Sequence, residues 1–453
     1  MRAARIFALA VAFAACLLAA MSIPAARTAD PAPRVVMVSI DGLMPAYYLE
    51  AAELGLKVPN LRRLMEEGAY ARGVVGVVPS VTYPSHTTLI TGVPPRIHGI
   101  AANTVFDPEG RSGGAWEWFA SAIRVPTLVS AARARSLRTA TVSWPVSLGI
   151  GSDWNLPEFW RPGSQHPVDL GLLGLLSTPG LMDEVVRHRG RPYPYPLTDE
   201  DRVDGAVYLL EARRPHLTLL HIFEVDSAQH DHGPLTPEAK AAVEKSDAEL
   251  GRILAAVKAS SVAGETLVAV VSDHGFLPLS RVLRPNVLLR EAGLIQVDEN
   301  GKVTGWQAYF HSDGGSAALH LRDPADPALL ARVRSLIDAR RQAGEAGIRD
   351  VIDARQIAEA GGSEDAVLLL NAGEGAYFSG SVDGSWSGPS TSKGGHGFLP
   401  DREEMHASLI LSGPGFHGRG DLGVVRMTQI APTLARHIGV SLDARADAPI
   451  PSR

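Results

Sequence analysis

The sequence predicts an α/β protein with a mostly parallel sheet, helices on both faces of that sheet, and an inserted small α+β subdomain. Three apolar segments, residues 33–42, 216–226 and 266–275, contain an acidic residue at or near the end. Helical patterns stand between them, and strands that alternate with helices form parallel sheets covered on both faces. Sites in such sheets lie beyond the carboxyl ends of the strands. We therefore expect Asp41, Asp226 and Asp273 to approach one another at one edge of the sheet.

Composition places few limits on function. The chain has 453 residues, of which 45% are hydrophobic and 20% charged, as in ordinary soluble globular proteins. Its formal net charge of −6 argues against a general nucleic-acid binder, which would need a basic surface. Phosphate substrates stay open, because bound metal ions can supply the positive charge.

Residues 1–29 are predicted to be an export signal. Arg2 and Arg5 precede an apolar stretch at 6–20, and small residues at 25–29 provide a cleavage region. The apolar stretch is short for a membrane span, although an uncleaved anchor is the alternative. The single cysteine, Cys16, lies inside it, and lipid attachment there is the less favoured interpretation. The mature chain would be periplasmic or secreted and free of cysteine, so histidine and aspartate would have to hold any metal.

The remaining elements follow in chain order. After the first strand, a helix is predicted with Asn60 as its N-cap. Residues 151–196 are rich in proline, glycine and aromatic residues and are predicted to form a loop-rich excursion over the mouth of the site. A long amphipathic helix is expected from Thr236 to about Ala259. The other expected helices are 126–136, 170–176, 328–340 and 428–440, and the other expected strands are 137–143, 316–321 and 407–413.

The domain prediction separates a core from an insertion. Short alternating strands and many turn glycines between 285 and 393 indicate the small α+β subdomain. The catalytic core would then consist of residues 30–284 and 394–453.

Thr82 is the candidate nucleophile. Pro79 and Pro84 fix the backbone on either side of it, so its hydroxyl is predicted to stand on a stiff elbow at the start of a helix. Unpaired N–H groups and the helix dipole at that position favour an anionic phosphoryl group. A threonine beside a proline is by itself most often a turn or cap residue, so the assignment depends on the metal ligands.

Candidate metal ligands occur at strand ends and in glycine-rich loops. They form two sets: Asp226, His230 and His396 for one ion, and Asp41, Asp273 and His274 for the other, with the Thr82 oxygen as a further ligand of the second ion. Each residue alone is ordinary in a turn or on a surface, but together they favour a two-metal centre. Histidine and aspartate suit zinc, and two such ions can clamp the attacking and leaving oxygens of an in-line displacement.

The charges suggest a division of roles. The second ion would lower the pKa of the Thr82 hydroxyl, and the first would neutralise the leaving oxygen or activate water. Asn103 is predicted to donate an amide hydrogen bond to a phosphoryl oxygen, with the Tyr83 backbone N–H beside it.

Six motifs together resemble the nucleotide pyrophosphatase/phosphodiesterase family of the alkaline phosphatase superfamily. They are residues 39–42, 81–86, 98–103, 226–230, 272–275 and 394–397. The resemblance extends from about residue 34 to 437 and implies an alkaline phosphatase-like fold. It also implies an exported two-zinc hydrolase that forms a phosphothreonine intermediate, with Asn103 on the phosphoryl oxygens and the insertion as a family feature.

Three positions bear on the substrate that the resemblance implies. Ser85 stands where family members commonly carry asparagine. Tyr83 matches the aromatic residue of nucleotide-cleaving members, whereas His221 occupies a position where they carry tyrosine; both are assigned to substrate binding. Residues 143–152 contain no basic residue, whereas the monoester-specific branch has a Lys-x-Arg pair there. This difference favours diesters or pyrophosphates.

The sequence therefore predicts an exported two-metal phosphodiesterase or nucleotide pyrophosphatase. Its substrate would be a small-molecule phosphodiester, a nucleotide or a phospholipid headgroup, and no protein partner is predicted. A phosphomonoesterase or phosphonate hydrolase on the same scaffold is the main alternative. A phosphoryl mutase or transferase is opposed by the export signal, and a non-catalytic zinc-binding exoprotein by the complete set of ligands and nucleophile.

Overall fold

The computed structural model describes residues 32–164, 166, 168–260, 262–342 and 347–452. The predicted export signal and Cys16 lie outside these residues. Among the helices in the described ranges, none combines the length and the apolar character needed to cross a membrane.

The secondary structure alternates between strands and helices in the first half of the chain and becomes richer in strands afterwards. The strands are β1 (Arg34–Ile40), β2 (Ala69–Tyr70), β3 (Gly73–Val75), β4 (Thr139–Val142), β5 (Trp154–Leu156), β6 (Leu217–Ile222), β7 (Thr266–Val271), β8 (Leu277–Leu283), β9 (Ile295–Val297), β10 (Val303–Trp306), β11 (Ala308–Asp313), β12 (Ser316–Leu321), β13 (Ile348–Asp353), β14 (Leu368–Ala372), β15 (Gly375–Phe378), β16 (Ser387–Pro389), β17 (Gly394–Gly395), β18 (Leu409–Ser412), β19 (Gly420–Asp421) and β20 (Val424–Arg426). The α-helices are α1 (Ala46–Leu49), α2 (Ala51–Leu54), α3 (Pro59–Glu67), α4 (Thr82–Thr91), α5 (Pro95–His98), α6 (Leu128–Ala134), α7 (Val168–Leu176), α8 (Leu181–Arg189), α9 (Asp199–Tyr208), α10 (Glu224–His232), α11 (Pro237–Ala259), α12 (Pro285–Glu291), α13 (Pro327–Gln342), α14 (Ala354–Glu359) and α15 (Ile430–Ile438).

The main sheet has eight strands in the order β19-β2-β18-β7-β1-β6-β4-β5. Its central strands β7, β1, β6, β4 and β5 are mutually parallel, and β18 joins β7 in antiparallel orientation. Ser39 of β1 pairs with Val271 of β7, and Ile40 pairs with Ile222 of β6, so the three central strands end side by side. This alignment brings the residues after each strand to one edge.

Helices cover both faces of this sheet, as predicted. Alternate residues of β1 belong to opposite cores: Val36, Val38 and Ile40 pack with α3, α9 and α11, whereas Val35 and Met37 pack with α4, α6 and α15. All seven residues of β1 are buried. An uninterrupted apolar strand in the sequence is therefore a strand buried on both faces.

One helix start differs from the prediction. Helix α3 begins at Pro59, and Asn60 lies inside it rather than capping it. The Asp247 side chain of α11 accepts the backbone N–H groups of Asn60 and Leu61 at 3.2 and 2.7 Å. A distant carboxylate thus caps α3, and proline suits the first helical position because it has no N–H to satisfy.

The segment between α12 and β16 contains a second sheet of four antiparallel strands in the order β11-β12-β14-β13. It has its own apolar core around Phe310, Leu319 and Leu370, against which α13 packs through Val333 and Ile337. Strand β8 precedes this segment and pairs with β15, β16 and β17. The domain boundaries at 284 and 393 stay a prediction.

Candidate metal centre

The three central strands deliver ligand residues to the same edge of the sheet. Asp41 follows β1 directly, and Asp273 and His274 follow β7. The strand predicted to reach Asp226 instead ends at Ile222, and helix α10 carries both Asp226 and His230. Because residues four apart lie on the same face of a helix, this arrangement brings the two side chains together more firmly than a loop would.

One predicted set of ligands is fully buried. The His274 Nε2 atom lies 3.0 Å from Asp273 Oδ2 and 3.4 Å from Asp41 Oδ1. The ligand atoms of these three residues all lie within 4.8 Å of one another. The Gly42 backbone N–H donates to Asp273 Oδ1 at 3.1 Å, which orients the carboxylate and leaves Oδ2 to face the cluster.

The other set is assembled from a helix and a distant loop. His230 Nε2 lies 3.4 Å from Asp226 Oδ1 and 3.2 Å from His396 Nε2. His230 Nδ1 bonds to the Gly394 carbonyl at 2.9 Å, so Nδ1 carries the proton and Nε2 is left as a ligand atom. Strand β17, which pairs with β8, brings Gly394 and therefore His396 to this place.

The ligand atoms themselves are the strongest sign of a metal centre. Asp41 Oδ1, Asp226 Oδ1, Asp273 Oδ2 and His274 Nε2 are buried and have no hydrogen-bond partner. A buried polar atom without a partner costs about 1–3 kcal/mol, so four in one place need an explanation. The His274 and His396 rings stack with centroids 3.6 Å apart, which places the two sets next to each other. These residues fit a pair of cations.

The electrostatics agree with this fit. Burial raises the pKa of Asp41 well above its usual value, and the Asp273 and Asp226 carboxylates raise it further. Burial also lowers the pKa of His396 well below its usual value, and His274 and His230 add to this effect. Part of the first shift comes from repulsion between carboxylates, which a cation would relieve, and the second keeps an imidazole neutral, the form that binds metals.

Thr82 lies at the start of a helix, as predicted. It is the first residue of α4 and lines one cavity together with Asp41 and Asp226. The buried His86 bonds to the Thr82 carbonyl and to the Ser39 hydroxyl, each at 2.8 Å, and thereby connects α4 to β1. Burial, with some contribution from His221, lowers the pKa of His86 to about 3, so this connection is made by a neutral ring.

Asn103 and Tyr83 are together, but not as the sequence suggested. The Tyr83 backbone N–H donates to Asn103 Oδ1 at 2.8 Å and is therefore not free to bind a phosphoryl oxygen. The bond instead orients the Asn103 amide, whose Nδ2 is the donor that remains. The backbone N–H of Tyr83 therefore orients Asn103 instead of serving as a second donor to the substrate.

His221 lies at the wall of the cavity that Asp41 and Thr82 also line, with little of its surface exposed. It is only 2% exposed and bonds to Asp41 Oδ2 at 2.9 Å and to Glu158 Oε2 at 2.8 Å. Glu158 Oε1 in turn accepts the Tyr83 hydroxyl at 2.8 Å. Burial lowers the pKa of His221, but Glu158 and Asp41 outweigh this effect and raise it well above the usual value. His221 thus orients the Asp41 carboxylate, and Glu158 is a member of this cluster that the sequence did not indicate.

Beside Thr82 lies a cavity of about 410 Å³, which we call the aromatic cavity. Its lining includes Tyr83, Trp116, Phe159, Trp160, Tyr195 and Phe223. Two arginines that the sequence did not single out also line it. Arg161 bonds to Asp169 at 2.6 Å, and the buried Arg202 lies over the Phe223 ring at 4.1 Å. Residues 151–196 do supply much of this wall, but they are less loop-rich than predicted, since they contain the edge strand β5 and the unpredicted helix α8.

Comparison with known proteins decides the family. The family model described as type I phosphodiesterase / nucleotide pyrophosphatase matches residues 35–398. The chain belongs to this family. Within this nucleotide pyrophosphatase/phosphodiesterase family of the alkaline phosphatase superfamily, the human ectonucleotide pyrophosphatase/phosphodiesterase family member 1 is 24% identical over 254 residues. A pyrophosphatase/phosphodiesterase of Schizosaccharomyces pombe is 25% identical over 257 residues.

These matches cover part of each protein. Both cover 54% of this chain, but only 23% of the human relative and 45% of the yeast one. Among solved structures, murine ectonucleotide pyrophosphatase/phosphodiesterase 5, an inactive threonine-to-alanine variant in complex with AMP, aligns with a TM-score of 0.65 and 19% identity. The alignment covers 92% of this chain and 97% of the murine one, and the human counterpart aligns equally well at 17% identity. The predicted fold and family are thus confirmed.

Proposed function

We propose that the chain is an exported phosphodiesterase/nucleotide pyrophosphatase that holds two zinc ions and forms a covalent phosphothreonine at Thr82. The observation that carries this proposal is the group of four buried ligand atoms that lack a hydrogen-bond partner and face one another beside the start of α4. The family membership supports hydrolysis of phosphodiester or pyrophosphate bonds. The short apolar stretch at 6–20 supports export.

In this proposal the two sets of ligands hold one ion each. Bound zinc would supply positive charge to the phosphoryl group and lower the pKa of a nearby hydroxyl. Asp226, His230 and His396 would hold one ion, and Asp41, Asp273 and His274 the other. The donor set of carboxylates and imidazoles, without cysteine, suits zinc.

The chain's own groups carry the reaction. The Thr82 oxygen attacks phosphorus, the bond to the leaving oxygen breaks, and the hydroxyl proton is lost to solvent. Water then attacks the phosphothreonine, which releases the phosphate monoester and restores the Thr82 hydroxyl. The Asn103 amide Nδ2, which its bond from the Tyr83 N–H orients, donates to a phosphoryl oxygen, where negative charge is concentrated.

The aromatic cavity supports a substrate with a flat ring next to the reacting phosphate. Tyr83 and Trp116 have ring centroids 5.3 Å apart, and Trp116 and Trp160 4.9 Å. Stacked and edge-on contacts with such rings bind aromatic groups. The murine relative in complex with AMP supports a nucleoside 5′-phosphate as the group held there.

The test compares substrates and metals on one preparation. Zinc-loaded protein should hydrolyse a bis-aryl phosphodiester faster than the corresponding aryl monoester, and mass spectrometry should find two metal ions per chain. A strong preference for the monoester would instead favour the phosphomonoesterase alternative. Retention of full activity after exhaustive chelation would contradict the two-metal mechanism.

A further inference from the structure

A second cavity also borders the candidate metal centre, and its lining includes ligand residues that the aromatic cavity lacks. It has a volume of about 260 Å³ and is lined by His230 and His396 together with residues of the inserted segment, among them Ser312, Asp313 and Tyr377. We call it the His396 cavity. Trp116 lines both cavities. The centre therefore has two separate places for the two groups attached to a phosphodiester.

The geometry of in-line displacement assigns the retained group and the leaving group of the phosphodiester to different cavities. The leaving oxygen lies opposite the attacking one, and the two metal positions serve these two oxygens. Thr82 and Tyr83 line the aromatic cavity, whereas His230 and His396 line the other. If the proposed function holds, the retained group occupies the aromatic cavity and the leaving group extends into the His396 cavity.

Apart from the ion that His230 and His396 would hold, the side chains around the His396 cavity offer little positive charge to a phosphate leaving group. Asp313 is its one carboxylate, and no lysine or arginine is among the described residues that line it. Lys393 is the nearest basic residue in sequence to the lining residue Gly394, and it is exposed. The Ser312, Ser392 and Tyr377 side chains supply neutral hydroxyls.

Asp313 is held in place by its surroundings. It is the last residue of β11 and pairs with Ser316 across the hairpin. Burial raises the pKa of Asp313, while His311 and a hydrogen bond from the Asn103 backbone N–H lower it in part. This contact connects Asp313 directly to the residue that we assign to the phosphoryl oxygens.

We propose that the His396 cavity is the leaving-group site and that Asp313 makes it selective for phosphodiesters with an uncharged alcohol, against nucleotides that release pyrophosphate. A pyrophosphate leaving group would carry several negative charges into a space with a carboxylate and without a basic residue. An uncharged alcohol would meet hydroxyls and aromatic rings. The inserted segment, which supplies Asp313 and Tyr377, is thus the part of the chain that selects the leaving group.

The test uses two substrates with the same retained adenosine 5′-phosphate. One is its p-nitrophenyl ester, whose leaving group is charged only at the leaving oxygen, and the other is ATP. We expect the ratio of kcat/KM for ATP to that for the ester to rise about tenfold in Asp313→Asn, which corresponds to about 1.4 kcal/mol of relieved repulsion. Asp338→Asn, which removes an exposed carboxylate from α13, should not change the ratio.

Several outcomes would overturn the inference. An unchanged ratio in Asp313→Asn would do so, as would a wild-type preference for ATP that Lys393→Ala abolishes. Failure of the zinc-loaded wild type to cleave either substrate would instead refute the proposed function on which the inference rests.

A second measurement needs no variant and serves if Asp313→Asn fails to fold. Two aryl esters of adenosine 5′-phosphate with matched leaving-group pKa are compared on the wild type, one of them with an added carboxylate on the leaving ring. We expect a lower kcat/KM for the carboxylated ester. Equal or higher values for that ester contradict the proposed selectivity.

Discussion

At the scale of single residues, the site depends on which atom each side chain leaves free. His230 uses Nδ1 on the Gly394 carbonyl and Asp273 uses Oδ1 on the Gly42 N–H, and the second atom of each faces a metal position. Hydrogen bonds to the backbone thus select the ligand atom and its direction. A site built in this way is oriented before the metal binds.

The nucleophile gives the first residue-level prediction. Thr82→Ala should retain two metal ions per chain but lose at least roughly a thousandfold in kcat, the scale expected when a nucleophile is removed. Steady-state kinetics and metal analysis by mass spectrometry measure the two quantities. Thr82→Ser, which keeps a hydroxyl, should recover part of the rate. Near-normal turnover of the alanine variant would mean that water attacks phosphorus directly.

Glu158 gives the second residue-level prediction. In Glu158→Gln an amide NH₂ faces either His221 or the Tyr83 hydroxyl, so the orientation of His221 against Asp41 weakens. We expect about tenfold weaker binding of one zinc ion, the lower end of the range for residues that support metal ligands. Competition with a chromophoric chelator measures the affinity. Tyr83→Phe removes only the hydrogen bond from the Tyr83 hydroxyl to Glu158 and should change the zinc affinity less. An unaltered zinc affinity in Glu158→Gln would show that His221 holds Asp41 without it.

At the scale of elements, each metal position combines pieces that are distant in the chain. The buried set comes from the ends of β1 and β7, neighbours in the sheet. The other set joins α10 to the loop after β17, which is held by β8 and by the bond from the Gly397 N–H to the Ser80 carbonyl at 3.0 Å. We therefore expect the two positions to respond separately to mutation.

Removal of His396 tests that separation. His396→Ala should reduce the metal content from two ions toward one, because the set of Asp226 and His230 loses a ligand while Asp41, Asp273 and His274 keep theirs. Native mass spectrometry measures the stoichiometry. His232→Ala, at an exposed position on α10, is the matched control. Equal loss of both ions would contradict the assignment of two sets.

At the scale of the whole molecule, burial of neutral histidines makes stability depend on pH. His98 is fully buried, with Nδ1 accepting the Ile100 N–H and Nε2 bonded to the Thr88 hydroxyl. Burial lowers the pKa of His98 to about 3, whereas an unfolded chain has the ordinary value near 6.5. Between these two pH values, His98 is protonated in the unfolded state but not in the native state. The contribution of neutral His98 to the free energy of unfolding is therefore complete above about pH 6.5 and is lost as the pH falls toward 3.

The prediction concerns the slope of stability with pH in chelated, metal-free protein. Below pH 6 the unfolding free energy should fall by about 1.4 kcal/mol per pH unit because of His98 alone. Denaturant unfolding between pH 4 and 6 should show a slope smaller by this amount in His98→Asn, whose side-chain oxygen can still accept the Ile100 N–H. His417→Asn, at an exposed position, should keep the wild-type slope. Identical slopes in wild type and His98→Asn would refute the prediction.

The fold class, the family and most strands and helices could be predicted from the order of residues alone. Continuous apolar runs such as Val35 to Ile40 can be satisfied only by burial on both faces, and glycines and prolines end them locally. The ligand candidates were recognisable for the same reason, since residues that follow parallel strands must share an edge. Local chemistry was sufficient for these features.

Several contacts of the fold and the site could not be predicted, because they depend on how distant segments pack. The cap of α3 by Asp247, the bond from the Tyr83 N–H to Asn103, and the contact of His221 with Glu158 each join residues that are distant in the chain or in unrelated elements. Asp313 borders the metal centre because a hairpin of the inserted segment folds back onto it. No local pattern encodes such contacts, because they depend on which surfaces pack together and not on propensity or spacing.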